Sequence, residues 1–188
     1  MSWMAFNCLL AVLPVLFAYL FLKSKNKPIK VLTGILWILF LPNTIYLFTD
    51  MLHILYQWER VMGWEKLVVA LQFATLQIVG FVTFILSFRP FEEILRWLKY
   101  NEKKRLWATI LFNFIIAFGI VLGRVERVNS WDVFVGNEKL FQAIVNIFTS
   151  VELIGLTVLF GLFCNFFYFL FRDPIYKSTI KLRSSLAK

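Results

Sequence analysis

Apolar residues in this chain come in long unbroken blocks separated by short polar connections. Neither the strict alternation of a half-buried strand nor the one-sided stripe of a surface helix dominates the pattern. Five blocks, at roughly 3–22, 31–50, 67–88, 106–124 and 151–171, are long enough to cross a bilayer as helices. About 30 Å of hydrocarbon at about 1.5 Å rise per residue requires about 20 residues. A membrane β-barrel would show short alternating segments instead. The pattern predicts an all-α integral membrane protein with five transmembrane helices, and residues 1–188 form a single helical domain in this reading.

Composition supports the same class. Hydrophobic residues make up 60% of the chain, Phe alone contributes 22 residues, and the mean hydropathy is +0.75. A soluble domain of this length could not hide so much apolar surface.

The net charge of +9 raises the question of nucleic acid, and its distribution answers against it. Lys23, Lys25, Lys27 and Lys30 follow the first block. Arg89, Arg96, Lys99, Lys103, Lys104 and Arg105 follow the third, and Arg172, Lys177, Lys181, Arg183 and Lys188 follow the fifth. The other connections hold only Arg60 and Lys66, then Arg124, Arg127 and Lys139. This alternation is the positive-inside pattern, which predicts an N-terminus outside and a cytoplasmic C-terminus in a multi-pass protein of the plasma membrane. Membrane lipids are the expected partners, with attraction to anionic headgroups as a secondary effect. Residues 3–22 lack a basic segment before the apolar run and a small-residue cleavage site after it, so they read as a retained first helix. Cys8 and Cys164 lie too far apart in depth to bridge and read as packing residues.

Two connections carry their own structure. In 89–105, Pro90 suits a first helical turn, Glu92 and Glu93 follow it, and Lys99, Lys103 and Lys104 lie at the far end, matching the helix dipole. Phe91, Ile94, Leu95 and Leu98 recur at helical spacing, flanked by Trp97 and Tyr100. This predicts an interfacial amphipathic helix between spans 3 and 4, with a short polar extension of the third span as the alternative. The apolar region from Leu140 to Phe171 is too long for one upright span. Residues 137–150, with Gln142, Asn146 and Thr149 on one stripe, form a separate outer-surface helix in one reading and part of a strongly tilted span in the other.

Polar residues at the ends of the blocks supply the candidate chemistry. Counting 20 residues from Lys30 reaches Asp50, 19 from Arg105 reaches Arg124, and 20 back from Arg172 reaches Glu152. Each stands about 30 Å from the basic boundary, at the outer edge of the hydrocarbon. Arg124 is therefore expected to pair with Asp50 or Glu152. In the second span Asn43, Tyr46, Asp50, His53 and Gln57 follow spacings of 3, 4, 3 and 4, which is one stripe of a continuous helix. Pro42 removes a backbone donor and introduces a kink there. The desolvation cost of Asn43 predicts that this stripe faces protein or a wet cleft.

The stretches "LPNTIYLFTD" at 41–50 and "GRVERVNSWD" at 123–132 resemble the paired signatures of a family of small bacterial polytopic membrane proteins, a domain of unknown function. The matching positions are Leu41, Pro42, Asn43, Tyr46, Thr49, Asp50, Gly123, Arg124, Arg127, Asn129, Ser130, Trp131 and Asp132. The resemblance implies the membrane class and this polar cluster, and no particular chemistry.

Three chemistries compete with a purely structural role for the cluster. Asp50 and His53 project from one helical face, with Glu152 or Asp132 to complete a metal set. A single histidine and no nearby thiolate argue against zinc, and no metal or other cofactor is assigned. Asp50, His53 and Glu152 are also the catalytic candidates for a membrane-embedded acid–base or metal-assisted enzyme acting on a lipid, with Ser130 and Thr49 as nucleophile candidates by position alone. Whether the protein is an enzyme stays open at this point. The first reading is recognition of an anionic small molecule or lipid headgroup at the outer leaflet, or an accessory role in a membrane assembly. Asn43, Tyr46, Asp50, Arg124, Arg127, Asn129, Ser130, Trp131 and Asp132 would line that site, since paired guanidinium forks suit phosphate and carboxylate. Transport by five helices alone would need a homo-oligomer or a membrane-protein partner.

Overall fold

The computed structural model describes residues 2–128 and 137–186, and helix is the only regular structure among them. Five helical stretches, Met4–Lys23, Lys27–Thr49, Glu65–Trp97, Glu102–Arg124 and Val151–Thr179, are long and apolar enough to cross a membrane. They coincide with the five apolar blocks of the sequence. The protein is all-helical, and its chain divides into two compact units, Met1–Ser87 and Phe88–Lys188.

The first unit holds α1 (Ser2–Lys23), α2 (Lys27–Phe40), α3 (Asn43–Thr49), α4 (Leu52–Trp58) and α5 (Glu65–Ser87). Asn26 and Pro28 start α2 directly after the tight connection from α1, because Pro belongs in a first turn where its missing N–H is no loss. Gly34 then lets α2 approach the Phe21 ring of α1, which stacks on Trp37 with centroids 6.1 Å apart. The Trp37 indole N–H donates to the Ser87 carbonyl at 2.8 Å, so a buried donor is satisfied between α2 and the end of α5. A second core of Met4, Ala11, Leu47, Val69, Phe73 and Leu76 joins α1, α3 and α5.

The second span is broken twice, at Pro42 as the sequence predicts and again after Asp50. Around Pro42 the backbone closes with short-range bonds, Thr44 N to Leu41 O at 3.2 Å and Ile45 N to Pro42 O at 3.1 Å. After α3, Met51 N bonds Phe48 O and His53 N bonds Asp50 O, three residues back instead of four. The Leu47 carbonyl thus loses its helical partner, and the Gln77 side chain of α5 donates to it at 2.8 Å. Broken helix at membrane depth persists only where protein satisfies the freed groups. α3 is such a place, with Asn43, Thr44, Ile45 and Leu47 all buried.

The second unit holds α6 (Arg89–Trp97), α7 (Glu102–Arg124), α8 (Asn137–Thr149) and α9 (Val151–Leu186). The helix expected over 89–105 ends early. Lys99 takes a left-handed φ of 53°, and the Asn101 side chain accepts the Lys104 N–H at 2.9 Å, capping α7. Lys103 and Lys104 therefore belong to the first turn of α7, where they do not complement a helix C-terminus. α6 is amphipathic, and Phe91 stacks on Phe112 of α7 at 4.1 Å while Phe88 meets Tyr168 of α9 at 4.3 Å. Residues 137–149 form a separate helix, which decides between the two readings of that region. The Ser150 hydroxyl accepts the Leu153 N–H at 3.4 Å and starts α9 afresh. α9 continues beyond the expected boundary at 171 through Arg172 and Pro174 to Leu186.

Candidate functional site

The polar residues of the second span fall into two groups. Asn43 is 7% exposed and Asp50 1%, so these two members of the stripe turn into protein as the desolvation argument requires. Tyr46 and Gln57 are half-buried, and His53 is exposed. A single stripe presumes a continuous helix. The chain turns more tightly after Asp50, and His53 beyond that turn is exposed although three residues at about 120° return it to the direction of Asp50. Asp50 accepts the Asn7 side-chain N–H of α1 at 2.7 Å. The Thr49 hydroxyl donates to the Tyr46 carbonyl at 2.7 Å and is thereby committed to the backbone.

The second signature begins in the last turn of α7. Val125 N donates to Val121 O at 3.0 Å and Val128 N to Leu122 O at 3.0 Å, while Arg127 takes a left-handed φ of 54°. Two bonds from α8 hold this turn. The Lys139 ammonium donates to the Arg127 carbonyl at 2.7 Å, and the Asn146 amide donates to Glu126 at 3.1 Å. Val128 is buried beneath the turn, and the side chains of Arg124 and Arg127 are exposed. Asn129, Ser130, Trp131 and Asp132 lie outside the described residues. Glu152 is exposed in the first turn of α9. Among the described residues, no three His, Cys, Asp or Glu side chains gather where they could hold a metal ion.

Several buried polar groups escape a reading of the sequence. Asn113 of α7 donates to Asn165 of α9 at 3.0 Å, and Asn165 donates in turn to the Gly161 and Ile110 carbonyls at 2.8 and 3.4 Å. Each asparagine stands alone in an apolar block, so only the packing of α7 on α9 reveals the pair. Glu92 has a larger part than that of a first-turn acid on α6. Its carboxylate, 13% exposed, accepts the Tyr168 hydroxyl at 2.5 Å and the Arg172 Nε–H at 2.7 Å. The available signal is a glutamate beside Phe91 and Leu95 on the apolar side of an amphipathic helix.

No curated protein and no solved structure matches the chain. A family model described as "Protein of unknown function (DUF1361)" matches residues 6–167. That match covers most of the chain and includes both signature stretches. The protein belongs to the DUF1361 family.

Proposed function

We propose that this multi-pass protein resides in the plasma membrane, N-terminus outside, and recognises an anionic group at the outer end of α7. The group is a phosphate or carboxylate carried by a small molecule or a lipid headgroup. One observation carries the reading: the exposed side chains of Arg124 and Arg127 stand on a single turn whose Arg127 carbonyl accepts from Lys139 and whose Glu126 side chain accepts from Asn146. Fixing the backbone lowers the entropy lost when two long side chains close on one anion. Guanidinium forks match the oxygen geometry of phosphate and carboxylate.

The test is calorimetric titration of the protein in phosphatidylcholine nanodiscs with inorganic phosphate and with glycerol phosphate. Saturable binding is expected, weakened about tenfold or more by Arg124→Gln/Arg127→Gln, since hydrogen bonds to charged groups contribute about 1.5–3 kcal/mol each. Lys139→Met should weaken binding less, because it loosens the turn and leaves both arginines. Binding unchanged in the double arginine variant would refute the assignment, as would no binding of either anion.

A further inference from the structure

The other end of the second unit carries a cleft of about 520 Å³ between α6, α7 and α9. Three arginines, Arg96, Arg105 and Arg172, line it together with Glu92 and Glu102. These arginines belong to the connections that carry most of the chain's basic residues. The charge of Glu92 is offset by its ion pair with Arg172, and Arg96 and Arg105 against Glu102 leave the lining net positive. Arg172 gives its Nε–H to that carboxylate, and its Nη1 lies 3.5 Å from Asp173, a long approach to an exposed side chain. Arg96 meets the exposed Glu93, a surface pair of the kind that contributes little. Arg105 is exposed at the start of α7.

The remaining lining combines Leu95, Leu106 and Phe169 with the hydroxyl-bearing Thr109, Tyr168 and Tyr176. Leu106 of α7 and Phe169 of α9 border the cleft, and both are about half exposed. They lie on helices long and apolar enough to cross a membrane. The cleft thus joins a cationic pocket to an apolar flank, which a freely soluble anion would leave unused and a phospholipid would fill.

We infer that this cleft binds an anionic glycerophospholipid with a hydroxylated headgroup, its phosphate held by Arg96, Arg105 and Arg172 and its chains along Leu106 and Phe169. Glu102 accepts a hydrogen bond from the headgroup hydroxyl, which offsets the presence of a second carboxylate in the lining. Glu92 is a positioning residue that sets the Arg172 side chain through its Nε–H. The site is separate from the proposed anion site at the far end of α7 and does not depend on it.

The experiment is native mass spectrometry of the detergent-purified protein after exchange into phosphatidylglycerol or phosphatidylcholine at matched concentration, with dissociation constants from titration. Phosphatidylglycerol should bind at least about tenfold more tightly than phosphatidylcholine. Arg96→Gln/Arg105→Gln should remove that preference, about tenfold in affinity for each charge-assisted hydrogen bond removed. The titrations are repeated in the Arg124→Gln/Arg127→Gln background, which removes the outer anion site, and the preference for phosphatidylglycerol should persist there until Arg96 and Arg105 are also replaced. Leu106→Gln should weaken phosphatidylglycerol and leave its headgroup analogue, glycerol phosphate, unaffected. Equal retention of the two lipids, or an unchanged preference in Arg96→Gln/Arg105→Gln, would overturn the proposal. Displacement of phosphatidylglycerol by equimolar glycerol phosphate would also overturn it, by assigning the cleft to a soluble phosphate.

Discussion

Replacing Asn113 by Leu should destabilise the second unit, and replacing Asn165 should do so more strongly. Asn113 is fully buried and gives one hydrogen bond to Asn165, while its own Oδ1 has no partner among the described residues. Asn113→Leu removes that bond and a carbonyl that is already unsatisfied, leaving the Asn165 oxygen without its donor. A loss of about 1 kcal/mol is expected, since the gain from removing the orphaned oxygen offsets part of the cost. Asn165→Leu removes the bond, ends the two bonds to the Gly161 and Ile110 carbonyls, and strands both polar atoms of the Asn113 amide in hydrocarbon-like packing. Its cost is about 2–3 kcal/mol on the scale of a buried unsatisfied group. The double replacement should cost less than the sum by about 0.6 kcal/mol, the average for interhelical hydrogen bonds in membranes, and by no more than about 1.7 kcal/mol. Reversible unfolding by SDS in mixed micelles, followed by tryptophan fluorescence, measures all three. Additivity within about 0.3 kcal/mol would refute the coupling. Asn165→Leu proving no more costly than Asn113→Leu would refute the stranded-amide argument.

Asp50→Leu should cost about 2 kcal/mol by leaving the Asn7 amide without its acceptor, and Asn7→Leu/Asp50→Leu should recover part of that loss in the same unfolding assay. Full stability of Asp50→Leu alone would show that the bond contributes nothing. Gly80→Ala should lose about 1–3 kcal/mol, because a Cβ there would lie 2.9 Å from the Thr44 carbonyl and 3.2 Å from Leu47 Cβ, which leaves α3 and α5 no room to stay in touch. Gly155→Ala, with nothing within 4 Å, should be neutral, and equal effects at the two glycines would contradict the close-approach argument. A phosphatase reporter fused after Lys188 should be inactive and a fluorescent protein there bright, as a cytoplasmic C-terminus requires, and the reverse pattern would invert the topology.

The membrane class is legible because its cause is one-dimensional. A helix satisfies its own backbone, so a block of about 20 apolar residues specifies a span without reference to any other part of the chain. Pro42 is legible for the same reason, since a missing N–H is a property of one residue. The burial of Asn43 and Asp50 also follows from the sequence, because an amide or carboxylate at that depth must find protein. Its partners do not follow. Asn7 is one polar residue among apolar neighbours in α1, and nothing in its spacing points to Asp50. His53 departs from expectation because a stripe gives only a direction around one helix, and whether another helix covers that direction at the level of His53 is decided by packing.

The sequence by itself determined the five spans, the all-helical class and the first break in span two. Each rests on hydropathy, backbone chemistry or a run of neighbouring residues. Tertiary structure alone decided which polar side chains meet across helices: Asp50 with Asn7, Asn113 with Asn165, and Glu92 with Tyr168 and Arg172. In an apolar solvent a solitary polar residue must be paired, and its own chemistry demands a partner without naming one. The partner is chosen by which helix faces pack, and that choice depends on side-chain shapes such as Gly80 against α3, which no local reading of the chain contains.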